Sequence, residues 1–422
     1  MTSHTASGRP LPAAPDHLSR HAWSVLALTM TFLLADGYDA FILLVTGQPT
    51  LHELLPASRL PHLHAYLGYL IAVTLAGWAT GSVVGGVLGD RLGRRRTMVY
   101  AVVIYSVFTG LSAATGTWWL FGLTRFFTGL GIGAEWGAGT SLFQEIWPQR
   151  WRTKGAGLMQ SAFAFGGLLV SGLWVLLGST YGLSWRWMYL FGILPLVVVI
   201  FFWRHIPESG RWVAARRSGV GLRDVLCGRS RRNFVAAAFV SIAIMVGWWA
   251  VSSFLPTYVG GLVKDPGRTT FFTGWAGALF NIGQIFGCAA LGFLSDVLGR
   301  KITVQLYFAG CLVIVPIVFL GVHGAAAATW LQLVAGFLTG GVYSWYAVHT
   351  PELFPTAVRA TAISAIFGGA RYLAMVGAVL TGTLASSVGG FGHAAAIVTP
   401  IYLVGIVAVF FLPETRGRPL PE

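Results

Sequence analysis

The sequence predicts an all-α integral membrane protein with twelve transmembrane helices in two six-helix, pseudo-symmetric halves. Its 422 residues are 55% hydrophobic and only 10% charged, whereas a soluble protein carries roughly 25% charged residues. Apolar runs of about 20 residues, the length that crosses a bilayer as a helix, occur twelve times. Short motifs that follow the second, fourth and sixth runs recur after the eighth, tenth and twelfth runs, 206 or 207 residues later.

The apolar runs divide the chain into two sets of six. They begin near Ala22, His64, Thr97, Trp118, Gly155, Trp185, Phe234, Thr270, Ile302, Ala326, Ala360 and Phe391. The longest polar break lies between Arg204 and Arg232, after the sixth run. We expect five regions: an N-terminal tail (1–21), a first half (22–204), a central loop (205–232), a second half (233–412) and a C-terminal tail (413–422).

The basic residues predict the orientation of the chain. If both termini are cytoplasmic, 22 of the 28 Lys and Arg residues lie on that side, four lie outside and two lie within runs. This asymmetry fits the positive-inside rule. The net charge of +14 then reflects basic loops beside an anionic leaflet, so we expect no nucleic-acid partner. The short loops and the Arg-rich composition favour a bacterial inner membrane.

An internal repeat relates the two halves. Three pairs of segments match: GDRLGRRRT from residue 89 with SDVLGRKIT from 295, EIWPQRWRT from 145 with ELFPTAVRA from 352, and IPESGRW from 206 with LPETRGR from 412. The offsets are 206, 207 and 206 residues. Two halves with the same orientation form a parallel repeat, which places a substrate path between them near the bilayer midplane.

The loop GSVVGGVLGDRLGRRRT resembles the signature loop of the major facilitator superfamily, and Asp296, Gly299 and Arg300 repeat part of it. The resemblance covers essentially the whole chain and implies the major facilitator fold. Within that superfamily, DGYDAF in the first run resembles the aromatic acid:proton symporters. GLGIGAEWGAG in the fourth run is similar to the sialate and lactate:proton symporters, with Ala134 in place of a glycine. Both branches transport organic carboxylates with protons.

This resemblance implies a monomeric, proton-coupled symporter that imports a small organic carboxylate by alternating access, without a cofactor. The substrate class stays open among aromatic acids, lactate-like monocarboxylates and sialate-like acids. A proton-driven antiporter that exports drugs or metabolites is the alternative, because exporters carry the same loop. The short tails argue against a sensor. The lack of a metal-spaced His/Cys cluster, a G-x-S-x-G motif and a P-loop argues against an enzyme.

The loop motifs predict a cytoplasmic gate made of ion pairs. Small residues drive helix packing in membranes, so Gly85, Gly86 and Gly89 should bring the second helix close to a neighbour. Ion pairs at helix ends can form in one state and break in another. The expected gate residues are Asp90, Arg91, Arg94, Arg95, Glu145, Arg152, Asp296, Arg300, Glu352 and Arg359. The alternative is that the basic residues only fix topology.

Five charged residues lie inside the runs: Asp36, Asp39, Arg125, Glu135 and Arg371. A charge within a membrane helix is costly and usually marks an ion or substrate route. With 1.5 Å of rise per residue and a first run of 22–45, Asp36 lies about 4 Å and Asp39 about 8 Å outside the midpoint. Arg125 lies about 10 Å outside the centre of its run and Glu135 about 5 Å inside. Asp39 and Arg125 should therefore pair.

The expected proton carriers are Asp36, Asp39 and Glu135. A carboxylate that exchanges a proton for an arginine partner is a usable carrier, which favours Asp39 because Arg125 has a similar depth. Structural alternatives remain for each. Asp39 and Arg125 can form a static salt bridge, Asp36 can cap a helix break at Gly37, and Glu135 can support helix packing.

Arg371 is the expected carboxylate clamp, because a guanidinium in a dry cavity binds a carboxylate through two parallel hydrogen bonds. Arg125 is the second candidate. Uncharged and aromatic residues are expected to complete the substrate site: Gln160, Asn281, Gln284, Tyr372, Tyr38 and Trp136. For the aromatic residues, packing within the helix bundle is the alternative.

Overall fold

A computed structural model describes residues 20–202, 208–215, 230–265, 268–387 and 391–421, and these residues form helices and loops without any strand. The first half contains α1 (Arg20–Leu54), α2 (Leu63–Leu92), α3 (Arg94–Ser112), α4 (Trp118–Ile146), α5 (Arg152–Trp174), α6 (Arg186–Phe191) and α7 (Leu194–Phe202). A short helix, α8 (Gly210–Ala215), lies in the central loop. The second half contains α9 (Arg231–Leu262), α10 (Thr269–Leu298), α11 (Arg300–Pro316), α12 (Ala325–Ala335), α13 (Trp345–Val348), α14 (Arg359–Ser387), α15 (Phe391–Val398) and α16 (Ile401–Phe410).

Three of the predicted spans are interrupted helices, which the sequence analysis did not anticipate. The sixth span is divided into α6 and α7, and the twelfth into α15 and α16. Pro195 lies in the first turn of α7 and Pro400 immediately precedes α16, where a ring that lacks an N–H is tolerated. The tenth span passes from α12 through a π-helical turn (Gly336–Gly340) and a 3-10 turn (Gly341–Ser344) into α13. Seven helical segments of the described chain, the tenth span among them, are long and apolar enough to cross a membrane.

Helix α1 is longer than predicted and has no break at Gly37. It runs unbroken from Arg20 to Leu54, so the alternative in which Asp36 caps a local break is wrong. A Cβ on Gly37 would overlap the carbonyl oxygen of Phe163 in α5. The glycine therefore serves the close approach of two helix backbones, as small residues do in membrane bundles.

The repeat seen in the sequence is also a repeat of contacts. Glu208 accepts hydrogen bonds from the backbone N–H groups of Arg94 (3.0 Å) and Arg95 (3.4 Å) at the start of α3. Glu414 accepts equivalent bonds from Arg300 (3.1 Å) and Lys301 (3.1 Å) at the start of α11. Burial opposes the charge on Glu414, but these N–H bonds outweigh burial and lower its pKa. Each half thus uses a carboxylate as a cap for its third helix.

The two halves pack closely at one end of the bundle, which we call the Arg-rich end because Arg94, Arg300 and Arg359 lie there. Gly86 of α2 faces Ala360 and Ser364 of α14, so that a Cβ would crowd both residues. Gly85 faces Ala134 of α4 within the first half. The glycines of the signature loop therefore allow α2 to contact one helix from each half.

Candidate functional site

Buried ion pairs join the two halves at the Arg-rich end. Arg94 Nη1 lies 2.9 Å from Asp90 Oδ1, and Arg94 Nη2 lies 3.1 Å from Glu145 Oε1. The same Glu145 oxygen accepts from Arg359 Nη1 of the other half at 2.8 Å. Glu145 and both arginines are buried. The Glu145 carboxylate contacts a cation from each half. It can therefore stabilise the closed arrangement of the two halves, and these contacts are lost when the halves move apart.

The second half repeats this cluster in part. Arg300 binds Glu352 through two parallel bonds, Nε to Oε2 at 3.0 Å and Nη2 to Oε1 at 2.9 Å. Asp296 does not join them, contrary to expectation. It pairs instead with Lys154 of the first half, with Nζ 3.1 Å from Oδ2. The Asp296 carboxylate is partly exposed, and Lys154 at the start of α5 balances its charge.

The remaining expected gate residues differ in their surroundings. Arg152 is buried and its charge interacts with that of Glu352, but the two do not form an ion pair among the described residues. Arg91 is exposed. Arg95 contributes its backbone N–H to Glu208.

Further hydrogen bonds close the Arg-rich end. Asp90 Oδ2 accepts from the backbone N–H of Thr361 at 2.7 Å, and the Thr361 hydroxyl donates to Gly86 O at 3.2 Å. Arg94 Nη2 also donates to Thr356 O at 2.9 Å. All three bonds run between the halves. Among the described residues, α2 and α14 are therefore joined directly by hydrogen bonds at this end.

Two carboxyl groups and one guanidinium lie together near the middle of the bundle. Asp36 in α1 and Glu135 in α4 lie near enough for their carboxylate charges to repel each other, and Asp36 is also near enough to Arg371 in α14 for their opposite charges to attract. All three side chains are buried. Neither Asp36 oxygen has a hydrogen-bond donor among the described residues. Two buried carboxylates that lie close together without a donor repel each other unless a proton neutralises one of them.

The guanidinium of Arg371 is held between two aromatic rings. Its Cζ lies 3.7 Å from the ring centre of Trp78 in α2 and 3.7 Å from that of Phe367 in α14. Stacking of this kind fixes the plane of the guanidinium. Nε and Nη1 have no acceptor among the described residues, so these two donors remain available to another group.

A small cavity of about 10 Å³ adjoins Arg371. This volume is near the least that holds one water molecule. The lining residues are Ala40, Phe41, Leu44, Trp78, Phe163, Trp248, Trp249, Tyr343 and Arg371. The indole N–H groups of Trp78, Trp248 and Trp249 have no acceptor among the described residues. In this structure the cavity is too small for an organic anion, but its lining combines aromatic walls with several unused donors and one cation, the chemistry that suits an anion with a flat apolar body.

Asp39 and Arg125 form a separate site within the first half. Arg125 Nη1 lies 3.8 Å from Asp39 Oδ1, which also accepts from the Thr109 hydroxyl at 2.8 Å. Arg125 Nη2 donates to Ser112 Oγ and Thr128 Oγ1, each at 2.9 Å. These partners belong to α1, α3 and α4. Arg125 is therefore occupied inside one half and does not line the cavity beside Arg371.

The other residues expected at the substrate site lie in several places. The Tyr38 hydroxyl donates to Met188 O at 2.8 Å, and the hydroxyl of half-exposed Tyr372 bonds to Thr80 at 2.8 Å, so neither hydroxyl serves the cavity. The ring of Trp136 stacks on that of Phe367, with the ring centres 4.0 Å apart, and Phe367 in turn contacts the Arg371 guanidinium. Gln160, Asn281 and Gln284 have buried amide oxygens that no donor from the described part of the chain reaches, and none of the three lines the cavity.

Sequence reasoning missed several residues of this site, above all Trp78 and Phe367. Both lie in apolar helices that contain other aromatic residues, and nothing in their local pattern separates them from residues of the helix core. The available signal was weak. Phe367 is four residues before Arg371, which places both on one face of α14.

The chain is similar in sequence to known transporters. The chain is 27% identical over 416 residues to the cis,cis-muconate transport protein of Acinetobacter baylyi, covering 95% of this chain and 97% of that protein. It is 27% identical to the 4-hydroxybenzoate transporter PcaK of Pseudomonas aeruginosa, covering 87% of each chain. It is 24% identical to the sialic acid transporter NanX of Escherichia coli, covering 72% of this chain and 74% of that one.

The fold is shared with solved transporters. The proton:xylose symporter XylE superposes with a TM-score of 0.79 at 20% identity, covering 96% of this chain and 98% of that chain. The sequence profile of the Major Facilitator Superfamily matches residues 22–373. The predicted fold class is therefore confirmed: twelve transmembrane helices in two six-helix halves. The chain belongs to the major facilitator superfamily and is a multi-pass membrane transporter, not an enzyme.

Proposed function

We propose that the protein is a proton-coupled symporter that imports a small organic carboxylate, with aromatic or conjugated acids as the preferred class. The observation that carries this proposal is the set of unused donors around the cavity: Nε and Nη1 of Arg371 and three indole N–H groups. Buried donors are normally paired. In a state in which the two halves are further apart and the cavity is larger, an anion would satisfy these donors, whereas a cationic drug would be repelled by Arg371.

The aromatic walls support a flat substrate. Phe41, Phe163, Trp248 and Tyr343 line the cavity around the guanidinium edge. A ring or conjugated chain whose carboxylate contacts Arg371 would stack against these faces at little entropic cost. The relatives named above include transporters of muconate and 4-hydroxybenzoate, which are carboxylates of this type. Because one relative is a sialic acid transporter, a bulkier and more polar acid is the alternative substrate.

The position of Asp36 supports coupling between proton and anion. When Asp36 is ionised, its charge interacts with Arg371 and competes with a substrate carboxylate for the guanidinium. When it is protonated, that competition disappears and Arg371 is free to bind the anion. Proton and anion then bind cooperatively, as linkage requires of a symporter. Glu135, close to Asp36, offers the alternative site for the proton.

This arrangement moves our preference for the proton carrier from Asp39 to Asp36. Asp39 is paired with Arg125 and bonded to Thr109 inside the first half, away from the cavity lining. Asp36 lies in the first half, and its charge interacts with that of Arg371 in the second half. We propose a structural or secondary role for the Asp39–Arg125 pair.

The Arg-rich end is the proposed cytoplasmic gate. The positive-inside rule assigns this end, and both termini, to the cytoplasm, so the structure corresponds to a state closed toward the cytoplasm. Release of the substrate then requires that the Glu145–Arg359 and Asp296–Lys154 pairs break as the halves rotate. We further propose that the transporter acts as a monomer in a bacterial inner membrane.

Transport by purified protein in liposomes tests the proposal. With an inwardly directed proton gradient, radiolabelled 4-hydroxybenzoate should accumulate above its equilibrium level, and lactate and sialic acid should accumulate less. Protein-free liposomes and liposomes without a gradient are the controls. Efflux of cationic dyes without accumulation of any of the three anions would instead support the antiporter alternative.

A further inference from the structure

The geometry points to a binding site for an anionic phospholipid on the outer surface of the second half, in a groove between α9 and α16. This groove has a volume of about 990 Å³, far larger than the cavity beside Arg371. Its lining residues are Arg231, Arg232, Val235, Ala236, Phe239, Leu403, Val404, Val407, Ala408 and Phe411. We call it the α9–α16 groove.

The groove is basic at one end and apolar along the rest of its length. Arg231 and Arg232, at the start of α9, are both exposed. Neither guanidinium forms an ion pair with another described residue, and no described residue of the lining is acidic. The other lining residues are aliphatic or aromatic. An occupant must therefore join a negative group to a long apolar body.

The dimensions fit a phospholipid of one leaflet. From Arg232 to Phe239, α9 rises by about 10 Å at 1.5 Å per residue, within the roughly 15 Å that one leaflet contributes to the hydrocarbon core. Phe239 and Leu403 are about half exposed at the far end of the groove. A lipid phosphate beside the arginines would place its acyl chain along these side chains.

The charge of the groove selects among lipids. Any lipid can cover an apolar helix surface, but basic pockets between transmembrane helices bind anionic headgroups. A zwitterionic lipid presents an additional cation to Arg231 and Arg232 and gains less. The lining includes neither Arg371 nor a residue of the gate pairs, so the site goes beyond the transport proposal and does not depend on it.

Lipid binding to the purified full-length protein in detergent tests this site. Dioleoyl phosphatidylglycerol is titrated and bound lipid is counted by native mass spectrometry. Dioleoyl phosphatidylcholine and free glycerol 3-phosphate serve as separate arms. We expect tighter binding of phosphatidylglycerol than of phosphatidylcholine, and no saturable binding of glycerol 3-phosphate, because the apolar groove contributes to the affinity.

Paired variants locate the bound lipid. Arg231→Gln/Arg232→Gln should weaken phosphatidylglycerol binding about tenfold or more, given the attraction expected for each arginine near an anionic headgroup. Arg416→Gln/Arg418→Gln removes the same charge from the exposed C-terminal tail and should leave binding unchanged. Val404→Trp, which fills the groove from a half-exposed position, should also weaken binding. Melting temperatures without added lipid verify that each variant is folded.

Several results would overturn the inference. Equal affinities for the two phospholipids would mean an unselective lipid surface. Unchanged phosphatidylglycerol binding in the Arg231/Arg232 variant, or an equal loss in the Arg416/Arg418 control, would place the lipid elsewhere. Binding of glycerol 3-phosphate as tight as that of the lipid would mean a free-phosphate site. Normal binding in Val404→Trp would exclude the groove as the acyl-chain site.

Discussion

Replacement of Arg371 by lysine tests the carboxylate clamp without removing its charge. Lysine offers a point charge in place of a planar fork, so a carboxylate loses one of its two parallel hydrogen bonds. A hydrogen bond to a charged group contributes about 1.5–3 kcal/mol. At about 1.4 kcal/mol per tenfold change, the dissociation constant for 4-hydroxybenzoate should rise about 10- to 150-fold.

The assay is equilibrium binding of radiolabelled 4-hydroxybenzoate to detergent-purified protein. Arg186→Lys is the matched control. Arg186 is paired with Glu53 at 2.7 Å and bonded to Ala113 O at 2.7 Å, far from the cavity in the fold, and its substitution should change affinity by less than about twofold. An unchanged dissociation constant in folded Arg371→Lys would refute the clamp. An equal loss in both variants would indicate a general effect of replacing arginine by lysine and would not support the clamp.

The remaining predictions concern the proton, the gate and the cap of α11. Asp36→Asn should abolish gradient-driven accumulation of the anion but retain exchange of labelled for unlabelled anion. Asp39→Asn should retain both activities. The opposite pattern, measured by gradient-driven uptake and by counterflow, would identify Asp39 as the proton carrier. Glu145→Gln removes a buried charge that bridges the halves, and breaking such a pair costs about 3–5 kcal/mol. Cysteines introduced on facing helix surfaces at the Arg-rich end should therefore react faster with water-soluble maleimides in that variant, and an unchanged rate would contradict the latch. Glu414 has a pKa below its ordinary value of about 4.5, so its contribution to stability is present above that pH and disappears as the pH falls through the lower, folded-state pKa. Glu414→Gln should accordingly lower the melting temperature at pH 7 and have little effect near pH 3; an equal decrease at both pH values would contradict the cap.

The architecture was largely predictable from the sequence because the relevant signals are local or repeated. The apolar runs gave the spans, and the segments from residues 206 and 412 marked the repeat in which Glu208 and Glu414 cap equivalent helices. The interruptions in spans six, ten and twelve were not predicted. They depend on where the chain uses its Pro and Gly residues to end a helix, and several prolines elsewhere, such as Pro49, lie within a continuous helix.

The site was predictable in its charges but not in its neighbours. Depth along the helix correctly indicated that Asp39 and Arg125 can meet. The same estimate wrongly put Asp36 and Glu135 at different depths in the membrane, because it assumed a first span of residues 22–45. Since α1 extends from Arg20 to Leu54, its middle lies beside Asp36, close to the level of Glu135. The rings of Trp78 and Phe367 reach Arg371 from two halves, and such contacts leave no trace in local periodicity.

Simultaneous recording of anion and proton entry distinguishes proton symport from uncoupled transport and from antiport. Liposomes that contain the protein and an internal pH-sensitive dye start at equal pH on both sides, with potassium and valinomycin holding the membrane potential at zero. An inward gradient of 4-hydroxybenzoate is then imposed, and uptake and internal pH are followed together. If the protein is a proton symporter, the interior should acidify in step with anion uptake. In Asp36→Asn the coupled acidification should be lost. Anion uptake without a pH change, or with internal alkalinisation, would contradict proton symport.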